Sequence, residues 1–232
     1  MCWSQSDGSN LVKVMYQMHV ISHRGYWMKP EEMNTEEAFR RSFSLGFGTE
    51  TDIRDCKGRL VISHDPPNEE NKLLDFCSFL SLYLEYGSML PLALNVKSDG
   101  LQDMIRDDLR EYNISNYVLF DMSIPDLLAT ARSGLKFLTR VSDLEPQPIL
   151  IDRSEGVWLD GFFTDWVDAE LIRHFLSSGK KVFIVSSELH GRAPESFWEN
   201  FMFPDLMSAP NLFICSDRPE HLSTRLAIGN KK

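Results

Sequence analysis

Residues 18–53, with the sequence MHVISHRGYWMKPEEMNTEEAFRRSFSLGFGTETDI, contain one complete unit of strand, helix and strand. The extended runs at 18–22 and 47–53 predict the two strands, and the amphipathic segment at 35–45 predicts the helix between them. The Asn34–Thr35 pair offers favoured N-cap residues, so we expect this helix to begin there. A helix that connects two consecutive strands indicates a parallel sheet.

The same alternation continues to the end of the chain. Eight segments predict strands, at 18–22, 47–53, 90–96, 117–121, 136–140, 156–160, 181–186 and 211–215. Seven segments predict helices, at 35–45, 74–86, 101–112, 124–132, 168–178, 195–201 and 219–226. The 232 residues fit the roughly 200–250 that an eight-stranded barrel needs. We therefore predict an α/β fold, a (β/α)8 TIM barrel in a single domain over residues 1–232, with any disorder confined to 1–10 and 229–232. An open, doubly wound sheet is the alternative, but eight strands with polar C-terminal ends favour closure.

Two connections depart from the repeat. The segment after Arg140 is irregular, so the helix between the fifth and sixth strands is doubtful. Lys57 and Gly58 predict a tight turn that joins residues 49–53 to a short extended run at 60–63.

The composition limits the classes of partner. Hydrophobic residues make up 43% and charged residues 25% of the chain, as in a soluble globular protein. The net charge of −10 and the pI near 5.1 argue against nucleic acid or an anionic membrane as the main partner, because both attract basic surfaces. The longest apolar segment, at 76–84, is too short to span a bilayer, so we expect no stable membrane insertion. The amino terminus lacks the pattern of a signal peptide, which predicts a cytoplasmic protein.

Four irregularly spaced cysteines predict reduced thiols: Cys2, Cys56, Cys77 and Cys215.

Two carboxylates share one face of the second strand. Side chains alternate along a strand, so Glu50 and Asp52 point the same way. Adjacent carboxylates repel unless a positive charge lies between them, and a hard divalent cation with oxygen ligands supplies that charge. Asn95 and Lys97 repeat this spacing on the next barrel strand. We predict a site for a hard divalent cation at Glu50 and Asp52, with Asn95 and Lys97 at the same mouth of the barrel.

Two histidines accompany these carboxylates. His23 ends the first strand and His64 follows the run at 60–63, so both are expected at the C-terminal mouth, where barrel active sites lie. The ordinary pKa of histidine lies near neutrality, so one imidazole can remove a proton from a nucleophile and the other can protonate a leaving oxygen. Lys97 and Arg24 add positive charge for a phosphoryl group. The set predicts displacement at phosphorus, with His23, His64 and Lys97 as catalytic residues.

Polar side chains also follow the remaining predicted strands. Their position makes them candidates for binding the rest of a small-molecule phosphodiester, together with Arg24 and Lys97. They are Asp121, Arg140 with Glu145, Asp160, Glu188 and His190.

These motifs resemble the glycerophosphodiester phosphodiesterase family, part of the phosphatidylinositol-phospholipase-C-like phosphodiesterase superfamily of TIM barrels. The family has His-Arg-Gly after the first strand, Glu-Asn-Thr at the first helix, Glu-x-Asp on the second strand, then His-Asp, and Thr-Asp-x-Pro near the end. The corresponding residues here are His23-Arg24-Gly25, Met33-Asn34-Thr35, Glu50 and Asp52, His64-Asp65, and Ser216-Asp217-Arg218-Pro219.

The resemblance implies a cation at Glu50 and Asp52 and an acid/base pair of His23 and His64. It also implies hydrolysis of a glycerol-type phosphodiester in lipid metabolism, with a cyclic phosphate as one route. Asn95 stands where the family has a third metal-binding carboxylate, in Glu-x-Lys. With this resemblance we predict a Mg²⁺ or Ca²⁺ site with Glu50, Asp52 and Asn95 as ligands, and Asp121 as the substitute if Asn95 does not reach. This departure motivates a second hypothesis, a barrel that binds a phosphorylated ligand without turnover. A phospholipase of the sphingomyelinase D type, which shares the barrel and a histidine pair, is a third, and the acidic composition counts against it.

Overall fold

The computed structural model describes residues 18–68, 73–86 and 89–229, and parallel strands form a closed ring within them. The strands are β1 (His19–His23), β2 (Gly48–Cys56), β3 (Arg59–Ile62), β4 (Leu74–Asp75), β5 (Leu92–Val96), β6 (Tyr117–Phe120), β7 (Leu138–Ser142), β8 (Gly156–Asp160), β9 (Lys181–Val185) and β10 (Leu212–Ser216). Neighbours pair in parallel in the order β1, β2, β5, β6, β7, β8, β9, β10 and back to β1. A single parallel bridge, Leu119 to Phe137, joins β6 to β7. The predicted barrel is confirmed, and the open doubly wound alternative is wrong.

Helices follow most of the barrel strands. They are α1 (Glu36–Ser44), α2 (Phe76–Glu85), α3 (Gln102–Glu111), α4 (Ile124–Ser133), α5 (Ala169–Ser177), α6 (Glu195–Glu199), α7 (Pro204–Met207) and α8 (Pro219–Gly229). The doubtful fifth helix is replaced by a 3₁₀ turn at Ile151–Arg153. The four-residue helix α7 was not predicted, because it is too short to show a periodic pattern. None of the helices within the described residues is long and apolar enough to cross a membrane.

Three further expectations concern the termini and cysteines. Gly229, the first residue of the expected disordered segment at 229–232, is the last residue of α8. Residues 1–10 and 230–232 lie outside the described part of the chain, as does Cys2. Cys56, Cys77 and Cys215 are free thiols, as predicted.

An antiparallel extension of β2 carries the chain back to the barrel mouth. Strand β2 continues beyond the ring to Cys56, which pairs with Arg59 on β3. Lys57 and Gly58 between them have φ values of +49° and +78°, which match the two left-handed positions of a type I′ hairpin turn. The tight turn predicted from the sequence is confirmed, and β3 ends two residues before His64.

The barrel interior is apolar below its mouth. Aromatic rings stack across it, with centroids 3.8 Å apart for Phe120 and Trp158 and 4.1 Å apart for Phe183 and Phe213. Two larger apolar layers pack between the ring and the helices. Because the interior is filled, inward-facing polar groups have room only at the C-terminal ends of the strands.

Candidate functional site

A cavity of about 240 Å³ opens at the C-terminal ends of the barrel strands. The sequence-predicted residues that line it are His23, Arg24, Glu50, His64, Asn95, Lys97, Asp121, Asp160 and His190. Phe120, Trp158, Phe162, Val185 and Leu189 form the apolar part of its wall. The buried Asp52 lies behind this surface and contacts it through Arg24 and Lys97. The structure thus brings together nearly all of the predicted site, except Arg140, Glu145 and Glu188, which do not line the cavity.

A left-handed turn after β1 shapes one edge of the cavity. Arg24 and Gly25 have φ values of +54° and +79°. A Cβ atom on Gly25 would lie 2.8 Å from the Cβ of Ala38, so both the conformation and the close approach of α1 require glycine there. The turn directs the backbone N–H of Arg24 to Oε2 of Glu50, at 3.1 Å. The His-Arg-Gly motif therefore holds a carboxylate through its backbone.

His23 has a carboxylate near each of its ring nitrogens, and one of the two contacts is a hydrogen bond. Its Nδ1 is hydrogen-bonded to Oδ1 of Asp217 at 2.7 Å, and its Nε2 lies 3.9 Å from Oε2 of Glu50. Burial by itself would lower the pKa of His23, but the hydrogen bond with Asp217 and the charge of Glu50 outweigh it and raise the pKa above its ordinary value. Asp217 comes from the other end of the chain and was not predicted as a site residue.

Three oxygen-bearing side chains meet beside His23. In the strand register His23 lies opposite Glu50, and Asp52 lies opposite Asn95. Burial, and then the charge of Asp52, raise the pKa of Glu50 to about 7. Oδ1 of Asn95 and Oδ1 of Asp52 are both buried, and neither has a hydrogen-bond partner among the described residues, although Nζ of Lys97 lies 3.5 Å from Oδ1 of Asp52. Unpartnered buried oxygens are costly unless something positive binds them. The arrangement fits a hard cation held by Glu50, Asp52 and Asn95.

Among the described residues, no group of three or more His, Cys, Asp and Glu side chains is arranged to hold a metal ion. The candidate site has two carboxylates, and its third ligand is an amide.

Asn34 links Asp52 to the first helix. Its Nδ2 donates a hydrogen bond to Oδ2 of Asp52, and its Oδ1 accepts one from Oγ1 of Thr51, both at 2.8 Å. The N-cap of α1 is Thr35, whose side chain accepts from the N–H of Ala38. The sequence identified the Asn34–Thr35 pair as a cap, but the orientation of Asp52 by Asn34 was missed.

Charges of alternating sign run along the mouth from β1 to β7. Nε of Arg24 lies 3.1 Å from Oδ2 of Asp52, without hydrogen-bond geometry. Nζ of Lys97 lies 3.5 Å from Asp52 and 3.5 Å from Asp121. Asp121 in turn binds Arg140, which also binds Glu145. Arg140 is therefore engaged by two carboxylates and does not line the cavity itself, but it contacts two residues that do, Asp121 and Phe162.

His64 stands apart from this network. Its Nδ1 is hydrogen-bonded to the side chain of Asp65 at 2.8 Å, and its ring is partly exposed. Its backbone carbonyl accepts a hydrogen bond from Arg54 at 2.9 Å, which fixes the main chain at the cavity edge.

A second histidine–carboxylate pair lies on the opposite wall. Nε2 of His190 is 2.6 Å from Oδ1 of Asp160, and Phe162 packs edge-on against the imidazole. Burial raises the pKa of Asp160, although His190 partly offsets this. The sequence identified both residues as strand-end candidates, and only the structure shows that they pair.

Glu188 has a different position from the one predicted. Its carboxylate binds the hydroxyls of Ser186 and Ser216 and accepts from the backbone N–H of Asp217 at 3.2 Å. Within the described residues these contacts fasten the segment that carries Asp217. The substrate-binding role proposed for Glu188 has no support from its position.

No protein-family model matches the chain, and no curated protein sequence is significantly similar to it. Solved structures are similar. A glycerophosphodiester phosphodiesterase from Agrobacterium tumefaciens has a TM-score of 0.66 and 12% identity, over 89% of this chain and 99% of that chain. A glycerophosphoryl diester phosphodiesterase from Parabacteroides distasonis has a TM-score of 0.67 and 16% identity, over 92% of this chain and 89% of that chain.

A third similar structure contains a product. It is a phosphodiesterase from Oleispira antarctica in complex with sn-glycerol-3-phosphate, with a TM-score of 0.62 and 16% identity, over 92% of this chain and 97% of that chain. At these identities the likeness shows a shared fold, the TIM barrel of these phosphodiesterases.

Proposed function

We propose that this chain is a divalent-cation-dependent phosphoric diester hydrolase that acts on a glycerophosphodiester-like substrate. The observation that carries the proposal is the buried, unpartnered Oδ1 of Asn95 beside the two carboxylates of Glu50 and Asp52, at the edge of a cavity that also contains His23. The shared fold with the phosphodiesterases and the bound glycerol phosphate of one of them support the same class of substrate.

The cation would be Mg²⁺ or Ca²⁺, held by Glu50, Asp52 and Asn95. When bound, it neutralises non-bridging phosphoryl oxygens. Asn34 keeps Asp52 oriented through its 2.8 Å hydrogen bond. If Asp52 binds the cation, Lys97 still has Asp121 as a partner at 3.5 Å. Its ammonium can then be directed to the phosphoryl group.

The histidines would divide the proton transfers. His23 is held in one orientation by Asp217, which stabilises the protonated ring formed when it accepts a proton from the nucleophile. His64, at the opposite edge and partly exposed, would protonate the leaving oxygen. Asp121, Asp160 and His190, on the far wall, would bind the alcohol group, and Arg140 would hold Asp121 in place.

The test is hydrolysis of a chromogenic phosphodiester before and after chelation. We expect turnover to stop in excess chelator and to return with Mg²⁺, Mn²⁺ or Ca²⁺. Glu50→Gln and Asp52→Asn should lose calorimetric cation binding as well as turnover. Asp126→Asn is the matched control, since Asp126 is also a buried carboxylate with an unpartnered oxygen but lies outside the cavity. Full turnover by metal-free protein in excess chelator would contradict the proposal.

A specific contact favours a second candidate, a barrel that binds a phosphorylated ligand without turnover. Nζ of Lys97 lies 3.5 Å from Asp52 and so supplies positive charge near the position proposed for the cation. In this second candidate the ammonium of Lys97 occupies the place of the cation, so phosphate esters would bind without a metal ion and would not be cleaved. Ligand binding that is unchanged by chelation, together with absent turnover, would select this reading. The cytoplasmic location and the lack of a nucleic-acid partner stay predictions from the sequence.

A further inference from the structure

Large apolar side chains are exposed on one side of the barrel mouth. Phe163 is 71%, Leu144 61%, Ile124 51% and Ile149 40% exposed. They follow the C-terminal ends of three consecutive barrel strands, β6, β7 and β8. We call these four residues the apolar rim.

The apolar rim is one surface rather than four scattered residues. Ile124 and Ile149 line the same shallow groove beside Arg140 and Glu145. Leu144 precedes Glu145 and follows Asp143, whose carboxylate accepts from the backbone N–H of Phe163 at 2.7 Å. This hydrogen bond joins the loop after β7 to the loop after β8, next to the exposed side chains of Leu144 and Phe163.

The loop that carries Phe163 is held firmly while its ring stays in solvent. Asp143 also accepts from the N–H groups of Phe162 and Thr164, both at 3.1 Å. Arg192 donates to the carbonyl of Gly161 at 2.6 Å and pairs with Asp165 at 2.9 Å. A mobile loop could fold its phenylalanine back onto the protein. This loop is pinned by charged groups along its length, so it keeps the exposed ring in a fixed position.

The size and charge of the apolar rim restrict what can cover it. A stable protein interface takes roughly 20–30 residues a side, far more than four. A lipid surface needs only a few side chains that enter its interfacial layer. The net charge of −10 disfavours an anionic surface, and two carboxylates lie beside the rim: Glu145 lines the groove with Ile124 and Ile149, and Asp143 precedes Leu144 and binds the backbone of Phe163.

We propose that the apolar rim docks the barrel mouth reversibly onto a zwitterionic lipid surface. Phe162 belongs to the cavity wall and is the neighbour of Phe163, so the docked face is continuous with the cavity. Met28, exposed after β1 on the opposite side of the mouth, gives the surface a further contact. An amphiphilic phosphodiester in that surface would reach the cavity along Phe162, and this last step rests on the proposed function.

The test is sedimentation of the protein with vesicles of pure phosphatidylcholine, measured without turnover. We expect a bound fraction that rises with lipid concentration and falls when an anionic phospholipid is added. The double variant L144S/F163S should lose roughly tenfold in partition for each side chain removed. Met89→Ser is the matched control: Met89 is 84% exposed but lies at the opposite end of the barrel, before β5, so its variant should partition like the wild type.

Several outcomes would overturn the proposal. They are no sedimentation of the wild type, equal loss in the Met89→Ser control, or unchanged partition of the double variant. A second copy of this chain is the other partner that could cover the rim, and sedimentation velocity without lipid tests for it. A dimer that is abolished by L144S/F163S would identify the rim as a contact between copies of this chain and would overturn the proposal. Hydrolysis of the soluble chromogenic phosphodiester should be unchanged in the double variant. A failure of the proposed phosphodiesterase activity would leave vesicle partition intact, so the two failures are distinguishable.

Discussion

The two halves of the barrel mouth are built differently. The half formed by β1, β2 and β5 contains buried charges that contact one another, with Glu50 and Asp52 enclosed between Arg24, Lys97 and His23. The half formed by β6 to β9 contains partly exposed pairs, such as Asp121 with Arg140, and the apolar rim outside them. Buried charges without full compensation are expensive, and they are expected where chemistry needs them. The comparison therefore suggests that the first half performs the reaction and the second half selects the substrate.

The largest effect is expected from His23, at the centre of the first half. In His23→Ala we expect kcat on an unactivated phosphodiester to fall by about 10²–10⁴, because one acid/base group is worth that much. The variant should remain folded, since the ring is held by polar contacts with Asp217 and Glu50 rather than by the apolar core. Steady-state kinetics with circular dichroism as the folding control measures both. If His23→Ala keeps near-normal kcat, the reactive half has been assigned wrongly.

The reactive residues of the first half were easier to predict from the sequence than the distant side chains that hold them in place. His23, Glu50 and Asp52 lie within thirty residues, and strand alternation alone places the two carboxylates on one face. Asp217 was noted only as part of the C-terminal motif and was not predicted as a site residue, because it is separated from His23 by 194 positions and only barrel closure brings them together. Glu188 was assigned to the substrate because strand-end position does not reveal which way a loop side chain points. Its partners, Ser186 and Ser216, became evident only with the structure.

The fold shows the same distinction between local and long-range information. All eight barrel strands were predicted within about three residues at their ends, because each is a buried run bounded by turn residues. Residues Leu74–Asp75, the two-residue strand β4, were placed at the start of a helix instead. Their extended conformation depends on pairing with Ile62 and Val61 of β3, which no local pattern encodes.

The next effect concerns Lys97, between the charges of both halves. Lys97→Met keeps much of the aliphatic stem, so packing should change little, while kcat should fall by roughly 10²-fold through loss of a charge at the phosphoryl group. The control is the thermal midpoint of unfolding, measured in saturating Ca²⁺. Lys97→Met removes the ammonium that pairs with Asp52, and under these conditions the bound cation supplies a positive charge to Asp52 in its place. A variant with lower stability and unchanged kcat would give Lys97 a purely structural role.

A smaller effect is expected in the second half, at the pair of Asp160 and His190. In His190→Asn we expect KM for a glycerophosphodiester to rise by about tenfold, the value of one hydrogen bond to a charged group, while kcat changes little. Asp160→Asn should show the same division between KM and kcat. The matched control is His174→Asn, on the outer surface of α5. A fall in kcat comparable with that of His23→Ala would place chemistry in the second half and break the comparison.

The smallest effect tests how the first half tolerates its missing carboxylate. Asn95 lies opposite Asp52 in the strand register, and its Oδ1 is buried without a partner. Asn95→Asp would add a third negative charge there, and Ca²⁺ affinity increases with the charge of its ligands. We expect calorimetric Ca²⁺ binding to tighten several-fold.

Turnover of Asn95→Asp should stay level or fall slightly, because a more negative ligand set leaves the cation a weaker electrophile. Without Ca²⁺ the variant should be less stable than the wild type, since a third carboxylate would join the buried Glu50 and Asp52, while the cationic groups around them, Arg24, Lys97 and His23, stay the same. Asp121→Asn is the informative partner variant: Asp121 binds Lys97 and Arg140, so its loss should leave Ca²⁺ affinity nearly unchanged. If Asp121→Asn weakens Ca²⁺ binding and Asn95→Asp does not alter it, the cation is held by Asp121, and the boundary between the two halves lies one strand further along the barrel.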